Sequence, residues 1–265
     1  MSARLPADRV AIVAGASGGI GIVTVRALLA AGFRVVCAAP EDALLDALRE
    51  ELVPLGAQAL VVATDITIAA QVEALAARAL VAFGRIDALV NLAGIGSTPS
   101  LADDTDARME RVVAINLLGA ARLIRAVLPV MKAQRRGAIV NVGSVAGEVG
   151  VMGIYSGTKF GLRGLSDTVR REVRADGIGV TLVEPGFVRT AMNAGMGDGL
   201  PDPSIVAQAI VAAIDRPRRR VIVPGWYRGV VFVANRFPGF IDLVFGNAAI
   251  QNRLNADARS GHIHG

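Results

Sequence analysis

Tyr155 and Lys159 stand four positions apart in Tyr155-Ser156-Gly157-Thr158-Lys159. On a helix that spacing puts a phenol and an ammonium on one face. A cation beside a phenol stabilises the phenolate and lowers the tyrosine pKa from about 10 towards neutrality. A tyrosine tuned in this way can exchange a proton with an alcohol or carbonyl oxygen. The chain holds 26 arginines but two lysines, and only two tyrosines, so both residues depart from its habit. A compact ammonium whose pKa responds to burial differs in function from a guanidinium fixed in its charge. The pair by itself is a common surface feature of helices, so its surroundings decide its weight.

Those surroundings are polar residues at the ends of strand-like runs. Asn141-Val142-Gly143-Ser144 follows one run and sets Ser144 at a strand end, where open parallel sheets bind ligands. Asn91-Leu92-Ala93-Gly94 ends another run and Pro185-Gly186-Phe187-Val188-Arg189-Thr190 a third. Asn116 falls inside a long helical pattern. Near the start, Ala14-Gly15-Ala16-Ser17-Gly18-Gly19-Ile20-Gly21 joins a strand pattern to a helix pattern. Missing side chains there let the backbone approach a pyrophosphate, and the helix N-terminus favours its charge. The flanking strand and helix make this a dinucleotide site rather than a merely tight turn.

The elements that must hold these residues alternate. Strands are expected at 9–14, 34–38, 59–64, 88–92, 138–142, 180–184 and 220–223. Helices are expected at 20–31, 42–52, 69–83, 106–132, 154–175 and 204–215. Strands alternating with helices of this length imply βαβ units with right-handed crossovers. The expectation is an α/β fold: a single-domain, Rossmann-type, doubly wound parallel sheet of about seven strands with helices on both faces. A hydrophobic fraction of 53% with only 4% aromatics suits a sheet buried on both sides. No repeat or linker divides the chain, so residues 1–225 form the nucleotide-binding and catalytic domain. Residues 226–265 form an apolar, basic C-terminal extension.

Composition excludes several chemistries. The single cysteine, Cys37, leaves no internal disulfide and no cysteine-cluster metal site. Both histidines, His262 and His264, lie in the last four residues, so no metal site is expected. The net charge of +5 is concentrated late: from Arg216 onward eight arginines face Asp242 and Asp257, leaving residues 1–215 at −1. That distribution argues against nucleic-acid binding. Early charged residues give no leader pattern, and a cytoplasmic protein is expected.

In sequence order these motifs resemble those of the short-chain dehydrogenase/reductase family. The family's patterns are T-G-x-x-x-G-I-G, N-N-A-G, a helix Asn, a Ser after the fifth strand, Y-x-x-x-K and P-G-x-x-x-T, and the resemblance covers roughly residues 8–225. It implies an NAD(P)-dependent oxidoreductase that interconverts an alcohol and a carbonyl on an apolar, small-to-medium substrate. It implies Tyr155 as general acid/base, Ser144 to polarise the substrate oxygen, Lys159 to lower the Tyr155 pKa and bind the nicotinamide ribose, and Asn116 to anchor a proton relay. Gly15, Ser17, Gly19, Ile20, Gly21, Asp65, Ile66, Asn91, Ala93, Gly94, Tyr155, Lys159, Pro185, Gly186, Val188 and Thr190 would contact or support the cofactor. A homodimer or homotetramer follows from the same resemblance.

The chain departs from the family in five places. Ala14 replaces the leading Thr, Leu92 the second Asn of N-N-A-G, and Gly143 a frequent Ser. The eleven positions from Ser144 to Tyr155 are fewer than usual, which shortens the loop at 148–153. After the second strand, Ala39-Pro40-Glu41-Asp42 lacks both the usual NAD acid near 39 and the usual NADP arginine near 40. Glu41 and Asp42 would repel a 2′-phosphate and favour NAD, although helix-start acids serve the dipole equally well.

Residues 191–203, rich in Gly and Met, fit a lid over an apolar substrate. From Trp226 to Ile250 the chain is apolar but interrupted by Arg228, Arg236, Pro238 and Asp242, too broken to span a membrane. That segment fits a pocket cover, an oligomer contact or a lipid-facing patch assisted by Arg216, Arg218, Arg219 and Arg220. The competing reading is a dinucleotide-binding regulator without turnover. An epimerase would need a larger C-terminal domain, and a methyltransferase leaves the later motifs unexplained.

Overall fold

A computed structural model describes residues 8–98, 100–190 and 199–247. Seven strands form one parallel sheet: β1 (Val10–Ala14), β2 (Arg34–Ala39), β3 (Ala59–Ala63), β4 (Ala88–Asn91), β5 (Gly137–Val142), β6 (Ile178–Pro185) and β7 (Arg220–Val223). Their order is β3-β2-β1-β4-β5-β6-β7, so the chain runs outward from β1 and then returns to β4 on the other side. At that reversal the connections leave in opposite directions, opening a crevice at the carboxyl ends of β1 and β4.

The helices are α1 (Gly19–Ala30), α2 (Ala43–Leu52), α3 (Ala69–Phe83), α4 (Asp106–Val113), α5 (Ala120–Gln134), α6 (Ala146–Val149), α7 (Gly153–Glu172), α8 (Ser204–Asp215), α9 (Tyr227–Arg236) and α10 (Pro238–Phe245). Alternation along β1 shows how both faces are covered. Ala11 and Val13 join a core with Val25 and Leu28 of α1, Leu45 of α2 and Ile210 of α8. Val10, Ile12 and Ala14 join the opposite core with Leu75 of α3, Leu123 and Val127 of α5 and Val169 of α7. A strand apolar on both faces needs a helix layer on each, and the chain supplies them.

Three local features differ from the expected elements. The helix expected at 106–132 is broken by a π-helical turn at Ala114–Gly119. A Cβ on Gly119 would lie 2.5 Å from Ile66 Cδ1, so the turn seats closely against the β3–α3 connection. The whole run to Gln134 is long and apolar enough to cross a membrane by length and composition. Its Leu123, Ile124, Val127 and Met131 are instead buried against the sheet. The expected loop after Ser144 is the one-turn helix α6, stopped at Gly150 in left-handed backbone.

The described part of the C-terminal extension, to residue 247, makes two helices. Val231 and Ala234 of α9 are buried, whereas α10 buries no residue. Trp226, Phe232, Phe237, Phe240 and Leu243 remain exposed. The arginine run offered as lipid-assisting begins β7, at the opposite end of that strand from Trp226. Arg219 is also committed to Asp167, and Arg220 to Glu148 and Glu184.

Candidate active site

The glycine turn after β1 is shaped by its own backbone. Gly15 has φ +83, and a Cβ there would lie 2.6 Å from the Ala93 nitrogen. A Cβ on Gly21 would overlap the Gly15 carbonyl oxygen. Both positions therefore require glycine for the turn itself. Gly19 differs: it is exposed, and an added Cβ would meet only Thr190, at an ordinary 3.4 Å. Its bare Cα is room that the chain's own packing does not use. Ser17 is buried beside it, Ile20 is half-buried, and α1 begins with no acidic residue in its first turn. A helix N-terminus with free N–H groups and an open glycine rim can receive a phosphate.

The neighbouring strand ends complete the crevice. Asn91 is buried at the end of β4 and its Nδ2 donates to Asn141 Oδ1 at 2.6 Å. Asn141 in turn donates to Ser166 Oγ at 2.8 Å, tying β4, β5 and α7 together. Asn91 Oδ1 has no hydrogen-bond partner among the described residues. A Cβ on Gly94 would sit 3.3 Å from both Asn116 Oδ1 and Lys159 Nζ, which places those two groups side by side. Asp65 accepts from the Thr67 backbone N–H at 2.8 Å and its hydroxyl at 2.7 Å, and Ile66 is buried against the π-helical turn. Pro185 and Val188 are buried and Thr190 faces Gly19. Gly186 has a packing reason of its own, because the Tyr227 ring of α9 occupies the space a Cβ would need.

The four residues expected to act on protons converge on this edge. The Tyr155 phenol lies near enough to the Ser144 side chain for that hydroxyl to draw its pKa down, and the Ser144 hydroxyl accepts from the Ala146 backbone at 3.1 Å. Lys159 is buried, its Nζ donating to the Val142 carbonyl at 3.1 Å and lying 5.5 Å from the Tyr155 ring centroid. Asn116, expected within a regular helix, is turned inward by the π-helical turn and is 1% exposed. Its Oδ1 accepts from Ile95 N at 2.9 Å, while its Nδ2 donates to Ile95 O at 3.0 Å and Thr158 Oγ1 at 3.2 Å. Bulges of this kind re-aim a side chain, which regular periodicity cannot foresee.

The electrostatics correct one expectation. Burial pushes the Tyr155 phenol above its ordinary value, and the Ser144 hydroxyl opposes this without overcoming it. Lys159 does not reverse the direction, since its ammonium is turned to the Val142 carbonyl and burial lowers its own pKa to about 8. Desolvation of the phenolate outweighs the cation at this distance.

Two acids near the end of β2 also find local work. Asp42 caps α2, its Oδ1 accepting from Leu45 N at 2.9 Å, and Glu41 pairs with Arg49 at 3.4 Å. Ser97 was not singled out from the sequence. It is fully buried, and its Oγ accepts from the Tyr155 N–H at 3.1 Å, fixing the start of α7. No motif signals it, because its role arises from a contact 58 positions away. The expected lid residues Met192, Gly195, Met196 and Gly197, and both histidines, lie outside the described residues. Among the described residues no group of three His, Cys, Asp or Glu could hold a metal ion.

The family profile described as short chain dehydrogenase matches residues 9–200. A 3-oxoacyl-[acyl-carrier-protein] reductase of Synechocystis sp. is 38% identical over 187 residues, covering 69% of this chain and 76% of the relative. A short chain dehydrogenase/reductase from Burkholderia phymatum, solved in complex with NAD, has a TM-score of 0.80 at 26% identity, covering 88% of this chain and 95% of that one. A single-substitution variant of the actinorhodin polyketide ketoreductase, solved with NADPH, has a TM-score of 0.76 at 28% identity, covering 82% of this chain and 96% of that one.

Proposed function

This chain belongs to the short-chain dehydrogenase family, an NAD(P)-dependent oxidoreductase by membership, and on that premise we propose that it reduces a ketone on an apolar, small-to-medium substrate with Tyr155 as the proton donor. The observation that carries this reading is the Tyr155 phenol beside the Ser144 side chain, with the buried Lys159 ammonium 5.5 Å from the phenol ring. Two hydroxyls side by side can grip one carbonyl oxygen between them.

The residues present fit a dinucleotide. Gly19 leaves its rim open, Asn91 Oδ1 is buried without a partner among the described residues, and Lys159 and Asn116 both lie close to Gly94, at the end of β4. Gly15, Ser17, Ile20 and Gly21 would hold the pyrophosphate, Asp65 and Ile66 the adenine side. Ala93 and Gly94 would line the floor, and Pro185, Gly186, Val188 and Thr190 the nicotinamide side. When bound, the nicotinamide supplies the hydride.

The chain's own part is proton chemistry. Ser144 donates to the substrate oxygen and concentrates its charge. Tyr155, kept protonated through the neutral range by its raised pKa, gives its proton to that oxygen as the alcohol forms. Lys159, at about 8, is matched to restore the proton, and Asn116 holds the backbone of Ile95 beside it.

NAD is the proposed cofactor. Pro40 offers no cation at the end of β2, and the first guanidinium that follows in sequence, Arg49, is engaged by Glu41 and Asp46. A 2′-phosphate would meet no free positive partner in that segment. The substrate class draws on the names of the relatives, which point to 3-oxoacyl and polyketide carbonyls. The test is a titration with NADH and NADPH followed by a panel of 3-oxoacyl thioesters and cyclic ketones. Tyr155→Phe should lower turnover by about 10²–10⁴-fold while NADH binding stays within about twofold. Unchanged turnover in that variant would remove Tyr155 from the mechanism.

A further inference from the structure

Beyond Ser144 in the chain lies a group of buried carboxylates and half-buried guanidiniums that the proton chemistry does not use. Glu148, on α6, has a fully enclosed side chain. Arg163 of α7 reaches both of its carboxylate oxygens at 2.8 Å. Arg220 of β7 reaches it at 2.8 Å and also grips Glu184 near the end of β6. Asn235 of α9 approaches the same carboxylate at 3.4 Å. One acid thus touches three elements besides its own: the helix that carries Tyr155 and Lys159, the last strand and the C-terminal helix.

Burying two carboxylates against two half-buried guanidiniums is costly, and such a cluster is seldom the cheapest way to stabilise a core. Its position suggests what it secures. Gly147, next to Glu148, seats α6 directly on α7, where an added Cβ would lie 2.7 Å from Lys159 Cβ. Ser144 itself is held separately, through Val145 N to Pro185 O at 2.9 Å and Gly143 N to Val183 O at 2.7 Å. The strand therefore fixes the reacting serine, and the charge cluster fixes the wall that follows it. Burial pushes Glu184 up to about 7 against the pull of Arg220, with the Glu148 charge adding to the rise.

We propose that Glu148 is a positioning residue of the substrate pocket, locking α6 against the catalytic helix and fastening the C-terminal helix α9 to the same point. The last described part of the chain thereby belongs to the working structure of the site. This rests on the proposed carbonyl reduction at Tyr155 only for its kinetic consequence.

The C-terminal end carries a reporter. Trp226, the single tryptophan, precedes α9 and stacks on Tyr227 at 3.6 Å between centroids. Tyr227 in turn fills the space beside Gly186 and accepts from Phe187 N at 3.2 Å. Release of α9 would disturb that stack. Glu148→Gln should raise KM for a 3-oxoacyl thioester about tenfold, lower kcat by less than about threefold and leave the NADH Kd unchanged. Trp226 emission should shift in the same variant, and Glu148→Asp should recover part of both effects. Should Glu148→Gln not fold, Asn235→Ala removes the α9 contact alone and should shift Trp226 emission with a smaller rise in KM. An unaltered KM, a loss confined to kcat, or unmoved Trp226 emission in a folded variant overturns the proposal. If the wild type reduces no carbonyl in the panel, the proposed function fails and Trp226 emission still decides whether α9 is fastened through Glu148.

Discussion

Glycines 15, 19 and 21 share one turn but not one physical reason. Gly15 and Gly21 are demanded by backbone contacts inside the turn, whereas a methyl at Gly19 meets only ordinary van der Waals contact. Alanine separates the two cases. Gly21→Ala should cost about 1–3 kcal/mol of stability through overpacking, and NADH binding should fall with it. Gly19→Ala should leave the Tm within a degree or so of wild type, since no neighbour must move, and still weaken NADH. A Gly19→Ala protein that binds NADH like wild type would show that the rim does not face the cofactor. Tyr155 makes the same point about residue type and environment. Its partner Lys159 is present at the expected spacing, yet burial sets the direction of its pKa.

At the scale of elements, caps and breaks account for most departures from simple periodicity. Asp42 ends β2's connection as the N-cap of α2, so its carboxylate is occupied by a backbone N–H rather than turned to a ribose. Asp42→Ala should therefore cost about 1 kcal/mol and lower Tm by about 2–4 °C. The ratio of NADH to NADPH affinity should not change, and a marked shift in that ratio would return Asp42 to the cofactor site. The π-helical turn has the opposite lesson. Its sequence, Ala114-Ile115-Asn116-Leu117-Leu118-Gly119, is continuous with good helix on both sides. Nothing local marks the break; the contact of Gly119 with Ile66 does.

Across the whole molecule, charge ties the late strands to the catalytic helix. Asp167 of α7 is held at about 2, well below an ordinary aspartate, by hydrogen bonds from Arg219 at the start of β7 and from Arg170. A carboxyl whose folded pKa is depressed lends stability that is complete above its unfolded value. That share is lost as pH falls from about 4 towards about 2. Asp167→Asn should lower stability at neutral pH and lose less than wild type on acidification, as read by chemical denaturation between neutrality and pH of about 3. Parallel pH dependences for the two proteins would show that this pair does not couple β7 to the body.

The amino-acid sequence determined the alternation of strands and helices, the doubly wound sheet, the glycine turn and the Tyr155–Lys159 spacing. Each is written in local period or in neighbours a few positions apart, and local propensity and side-chain burial act over that range. Tertiary structure alone decided that Asn116 turns inward, that Ser97 anchors Tyr155, that α6 fills the shortened loop, and that Glu148 meets Arg163, Arg220 and Asn235. Those contacts join residues tens of positions apart, and their energies depend on burial and mutual charge, which exist only once the sheet and its two helix layers have closed around them.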